Sequence, residues 1–188
     1  MVDTGPTAPY VPQPGDIGIV KMPGKVGRAI RTGQWLNGDG YHDYEHAYTV
    51  AGLSEEDWRD GERMIVEAMP GGAVRSPLSR YDGMGAVYLR CSLEFRSAVA
   101  AAAEALVGTP YSFADYAALA LHRFHIPAPL LKHFIRTSKH AICSQLADRA
   151  AAIGGWHLFD DNRWEGDVTP ADLYGLYLVN LFRNGPGQ

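Results

Sequence analysis

The spacing of apolar residues changes partway along this chain, and that change limits the folds open to it. HAYTVAG (46–52) and RMIVEAM (63–69) alternate with a period of two, so that His46, Tyr48 and Val50 share one face and Ala47, Thr49 and Ala51 the other. Ile65 and Glu67 share a face in the same way, opposite Met64, Val66 and Ala68. GDIGIVKM (15–22) is a short apolar run bounded by Gly and Pro, and AVRSPL (73–78) and AVYLRC (86–91) supply one or two further strands. The connections are short, which favours an antiparallel meander. From residue 93 onward the period becomes helical. LEFRSAVAAAAEALVG (93–108) ends at Gly108 and Pro110, and ICSQLADRAAAIGG (142–155) stops at a double glycine. FADYAALALHRF and PLLKHFIRTSKH are expected helices separated by IPAP, which no helix continues through. In DVTPADLYGLYLVNLF, Thr169 caps, Pro170 takes the first helical position and Asp172 favours the amino end. Strands first and helices later predict an α+β fold, an antiparallel strand meander packed against C-terminal helices.

The 188 residues suit one domain over 15–188, and residues 1–14, with four prolines, read as a flexible arm. A net charge of −4 argues against a general nucleic-acid binder, which needs a basic stripe to meet phosphates. The cluster Lys132, Arg136 and Lys139 reads as a solvated helix face. No apolar run has the length of a membrane span, so no integral membrane segment is expected. MVDTGPTAPYVPQPGD lacks the basic start and apolar core of a signal peptide. The expectation is a cytoplasmic protein, with delivery by a phage or a specialised secretion route as the other option. Two cysteines make no disulfide framework, and as free thiols both stay open to chemistry.

Cys143 falls at or within one turn of a helix amino terminus, where free N–H groups and the partial positive charge favour a thiolate. The same N–H groups suit a tetrahedral oxyanion. The competing reading is packing, because free cysteine is among the most buried residue types. A thiolate enzyme also needs a base, and of seven histidines His46, opening a strand just past NGDGYHDYE, has the most suggestive setting. Glu67 is the candidate third group: a carboxylate inside an apolar strand is costly unless paired, the alternative being an edge-strand residue facing water. Cys91 alternates with Val87 and Leu89 and reads as core.

HDYEH (42–46) also spaces two histidines as helical zinc proteases do. The glycines upstream, the β-rich AYTV downstream, Asp in place of Glu and the lack of a third ligand weigh against it. No metal or organic cofactor is expected.

The ordered motifs GDIGIV, EHAYTVAG, IVEAMPGGAVRSPL, GTPYSF and ICSQLADRA resemble the circularly permuted papain-like hydrolases of the NlpC-type superfamily, over about residues 14–180. The branch they look most like is the YiiX-like amidases, with lecithin:retinol acyltransferase-like enzymes more distant. The resemblance implies Cys143 as nucleophile, His46 as base and Glu67 as the group that orients it, in a hydrolase cleaving an amide (peptide or isopeptide) or ester bond. It also singles out Tyr111 as a site-lining residue. Tyr48, Ser144 and Glu45 are further lining candidates beside these residues, and Glu45 departs from the small residue usual before the histidine. Substrates of the right chemistry are peptides, peptidoglycan fragments and acyl esters. The alternatives are a catalytically silent binding or assembly module, an acyltransferase and a metal-dependent hydrolase. Oligomeric state is not legible in the sequence.

Overall fold

The computed structural model describes residues 10–22, 43–52, 62–69, 71–110, 143–161 and 168–184. Among the described residues five strands form one antiparallel sheet: β1 (Ile17–Val20), β2 (His46–Val50), β3 (Met64–Met69), β4 (Gly72–Pro77) and β5 (Val87–Leu89). Their order is β4-β3-β2-β1-β5. The expected meander holds for the first four strands. The fifth does not continue it; after a 3₁₀ turn at Leu78–Tyr81 the chain returns to pair with β1, Ile17 opposite Leu89. Helices α1 (Arg96–Ala105), α2 (Cys143–Ile153) and α3 (Pro170–Asn184) follow. This is an α+β fold with the strands grouped first, as the change of period predicts. No helix among the described residues is long and apolar enough to cross a membrane. The helices expected at 113–124 and 129–140, and the basic cluster, lie outside the described residues.

Alternation along the strands sends side chains into two different layers. On the helix side, Ala47 meets Ala147 and Ala151 of α2, while Val66, Ala68 and Ala73 meet Leu146 and Ala150. On the opposite face, Val20, Tyr48, Val50 and Ile65 gather around Tyr81. Each large apolar side chain so buried contributes roughly 2 kcal/mol, and only this register serves both layers at once. Small residues let the helices approach closely: a Cβ on Gly154 would lie 2.6 Å from Val99 of α1. The carboxyl end of α1 is fixed to β4 by Gly108 N–H donating to Ala73 O and Ala73 N–H to Thr109 O. At α3 the expected cap is present, with Thr169 N–H donating to Asp172 Oδ2 at 2.8 Å and Asp172 N–H to Thr169 Oγ1 at 3.2 Å.

The GDIG stretch ties these parts together. Gly15 adopts φ +85°, and a Cβ there would meet Arg96 O at 2.8 Å. Asp16 is fully buried, and its carboxylate accepts from Tyr10 OH, Gln13 N–H and Cys91 N–H, the last at 2.9 Å. One side chain thereby joins the chain before β1 to the segment leaving β5. Residues 10–14 of the N-terminal arm are held to the body by this contact and by Tyr10 against Tyr88 and Arg90. Cys91 is core, as expected, and burial pushes its thiol up to about 12. Asp16→Ala strands the buried Cys91 N–H and the other donors, so urea unfolding should show a loss of about 3 kcal/mol. A loss below about 0.5 kcal/mol would contradict this role for Asp16.

Candidate active site

His46 opens β2, Glu67 lies in the middle of β3, and Cys143 is the first residue of α2. His46 and Glu67 point to the Tyr81 side of the sheet, whereas Cys143 belongs to the cluster on the helix side. The two sides meet because the ladder between β2 and β3 stops at Tyr48 opposite Glu67. Ala47 lies beyond that ladder, and its N–H donates to the Cys143 sulfur, as does the N–H of Ser144 in the first turn of α2. The sulfur is 4.0 Å from Glu45 O. It is thus held against the start of β2, at the end of a helix where N–H groups have no intrahelical partner.

Three side chains are hydrogen-bonded in series. His46 Nε2 lies 2.7 Å from Glu67 Oε2, and His46 is also hydrogen-bonded to Cys143. With Nε2 used by the carboxylate, Nδ1 is the ring nitrogen left for the sulfur. Glu67 is fully buried in an interior strand, which rules out the water-facing edge position. Its Oε2 also accepts from Tyr81 OH, Oε1 receives Arg80 at 3.4 Å, and Ser76 supplies a further hydroxyl. Burial pushes this carboxyl up, but the bonds from His46, Ser76 and Tyr81 outweigh it and bring Glu67 down to about 2. Burial likewise works against a charged imidazole. The hydrogen bond and charge of Cys143, followed by those of Glu67, raise His46 to about 9. For Cys143 burial favours the thiol, and His46 together with the Ala47 and Ser144 N–H groups turns the balance toward the thiolate. The surroundings thus favour an imidazolium at His46 and a carboxylate at Glu67, and move Cys143 toward the thiolate.

The lining candidates are placed as follows. Tyr48 is fully buried, stacked on Tyr81 at 5.0 Å, with its hydroxyl 3.1 Å from that of Tyr88. Ser144 is fully buried and donates to Val168 O at 2.7 Å, joining the start of α2 to the residue before the α3 cap. The Glu45 carboxylate accepts Met22 N–H at 2.7 Å, and its carbonyl oxygen lies beside Cys143. Tyr111 and His42 lie outside the described residues. His46 sits on a strand, so the helical spacing needed for a zinc reading of HDYEH is absent at that residue. Tyr81, Arg80, Ser76 and the Ala47 N–H were not legible in the sequence as members of the site. The available signal was indirect: a buried Glu67 requires donors, without saying which.

No family model matches the chain, and no curated protein matches it. Among solved structures it is similar to the metalloprotein YiiX (DUF1105) from Escherichia coli O157:H7, at a TM-score of 0.51 and 18% identity over 95% of this chain and 85% of that one. At that identity the likeness shows a YiiX-like fold. As to a metal, no group of three or more His, Cys, Asp or Glu among the described residues could hold an ion. His46 Nε2 and Glu67 Oε2 are engaged with each other.

The ionisation pattern sets a pH dependence of stability. Glu67 titrates near 2 when folded against an ordinary 4.5, so its contribution is complete above about 4.5 and is lost as pH falls toward 2. His46 titrates near 9 against 6.5, so its contribution is complete below about 6.5 and is lost as pH rises through 9. Urea unfolding across pH should show the deficit of Glu67→Gln shrinking in acid and that of His46→Gln shrinking in alkali. Deficits that do not change with pH would contradict the ionised pair.

Proposed function

We propose that this chain is a cysteine hydrolase of the permuted papain-like, NlpC-type class, in its YiiX-like amidase branch. It would cleave an amide (peptide or isopeptide) or ester bond through an acyl-enzyme on Cys143. The observation that carries the reading is the series Cys143–His46–Glu67, drawn from three separate elements and joined by hydrogen bonds. A packing cysteine has no use for a buried imidazolium, nor that imidazolium for a buried carboxylate behind it.

In this mechanism the Cys143 thiolate adds to the carbonyl carbon, forming the C–S bond as the carbonyl electrons move to oxygen. The oxyanion is met by the Cys143 N–H at the first position of α2, where a helix leaves its N–H groups without intrahelical partners. His46 Nδ1–H then protonates the leaving nitrogen or oxygen as its bond to carbon breaks. Water enters, gives its proton to Nδ1 and attacks the thioester, and the thiolate departs with the acid released. Throughout, the Glu67 carboxylate holds Nε2–H, fixing the ring and favouring its charged form. Peptides, peptidoglycan fragments and acyl esters all present a suitable carbonyl.

A catalytically silent binding or assembly module is the second reading, and the burial of Cys143 and His46, each 5% exposed, speaks for it. Turnover separates the two. With activated acyl esters and N-acyl peptide amides as probes, the hydrolase reading expects a burst of leaving group and an acyl mass on Cys143. Cys143→Ala should abolish both, and His46→Ala should lower kcat about 10²–10⁴-fold. Hydrolysis that survives Cys143→Ala would overturn the acyl-enzyme on Cys143, and the absence of turnover and acylation with every probe would favour the silent module.

A further inference from the structure

We propose that Tyr81 is a positioning residue that holds Glu67 behind the His46 ring, and that Tyr81 is itself fixed by Tyr48, whose ring occupies the space left by Gly18. The inference rests on Cys143, His46 and Glu67 acting as a working trio. Tyr81 OH donates to Oε2, the same carboxylate oxygen that His46 Nε2 contacts. Nothing in the acyl-transfer chemistry itself calls for that second donor. It has a geometric effect, because a glutamate has three rotatable side-chain bonds and one contact to an imidazole leaves the carboxylate free to turn.

The other groups near Glu67 are less able to do this. Arg80 reaches the other oxygen at 3.4 Å, and its side chain is 46% exposed, so solvent screens it and its long stem is weakly fixed. Ser76 is a neutral donor from β4. Tyr81 is buried, 4% exposed, and burial together with the neighbouring carboxylate pushes its hydroxyl well above the usual range, so that it stays a donor. Among the described residues the titratable or charged groups facing the pair are Tyr48 from β2, Arg80 and Tyr81 from the 3₁₀ turn, and Cys143 from α2, while Glu45, just before β2, has its carbonyl beside Cys143 and its carboxylate on Met22 N–H. Tyr88 of β5 lies behind Tyr48.

What fixes Tyr81 is visible in the packing. Its ring lies parallel to Tyr48, centroids 5.0 Å apart and planes 9° apart. Tyr48 is paired across the strands with Gly18, and a Cβ on Gly18 would lie 2.2 Å from the Tyr48 ring. Gly18 takes an ordinary strand conformation, so backbone freedom does not explain a glycine here, but the close approach does. A line of contacts therefore runs from Gly18 through Tyr48 and Tyr81 to Glu67, His46 and Cys143.

The test is NMR titration of intact protein carrying ¹³C-carboxyl glutamate and ¹⁵N-histidine. In wild type the Glu67 carboxyl should titrate near 2 and His46 should be an imidazolium at pH 7. Tyr81→Phe keeps the stacked ring and removes only the donor, so the Glu67 midpoint should rise by about one pH unit. At pH 6 the His46 Nε2–H proton should move further downfield, because Oε2 no longer shares its charge with a second donor; this second reading needs no acid-stable variant. Gly18→Ala should raise the Glu67 midpoint in the same direction by displacing Tyr48. Tyr88→Phe, which removes the hydroxyl on the far side of the stack, should leave both readings unchanged. An unaltered Glu67 midpoint and Nε2–H shift in Tyr81→Phe would overturn the role of Tyr81. A wild-type His46 that is neutral at pH 7 would instead overturn the trio.

Discussion

The hydrogen bond between Glu67 and His46 is the contact on which the rest of the site depends. A carboxylate in the middle of an interior strand stays charged only if several donors surround it, and four side chains converge on Glu67: His46, Tyr81, Arg80 and Ser76. They come from β2, β4 and the 3₁₀ turn, so the charge is in balance only when the sheet is assembled in this register. A slip of one residue would send Glu67 into the alanine layer beneath the helices, away from these four donors.

The same alternation explains how a cysteine on the helix side can act with a histidine on the other. The pairing of β2 with β3 ends at Tyr48, and that ending leaves the Ala47 N–H for the sulfur and the His46 ring within its reach. Small residues along β2 and α2, Ala47, Ala147 and Ala151, let the helix lie close enough for its first turn to meet the strand's first residue. Ser144, bonded to Val168 O, fixes that turn from the α3 side. The fold thus delivers a helix terminus and a strand terminus to one point.

The features of the sequence that revealed the fold are those with a local physical cause. Period-two alternation placed His46, Tyr48 and Val50 on one face and marked Glu67 as a carboxylate in need of partners. The Thr169–Pro170–Asp172 run marked a helix start, and the double glycine after Ile153 marked a helix end. What stayed hidden depends on long-range closure. Nothing local says that β5 returns to β1, because that pairing is set by Asp16 binding Cys91 N–H across 75 positions of the chain. Tyr81 reads as one more aromatic in a turn until the turn is folded over Glu67. Gly18 looks like a weakness in a strand until the Tyr48 ring is laid on it.

The central claim is that Cys143 and His46 form a thiolate–imidazolium pair supported by Glu67. Its most direct measurement is the rate of Cys143 alkylation by iodoacetamide across pH 4 to 9, with His46→Ala and Glu67→Ala beside wild type and Cys91 distinguished by mass after digestion. The account predicts fast labelling of Cys143 that persists well below pH 7, vanishes with His46→Ala and weakens with Glu67→Ala, while buried Cys91 stays unlabelled. Slow labelling of Cys143 that begins only near pH 8 and is indifferent to His46 would contradict it, leaving Cys143 as packing at the start of a helix.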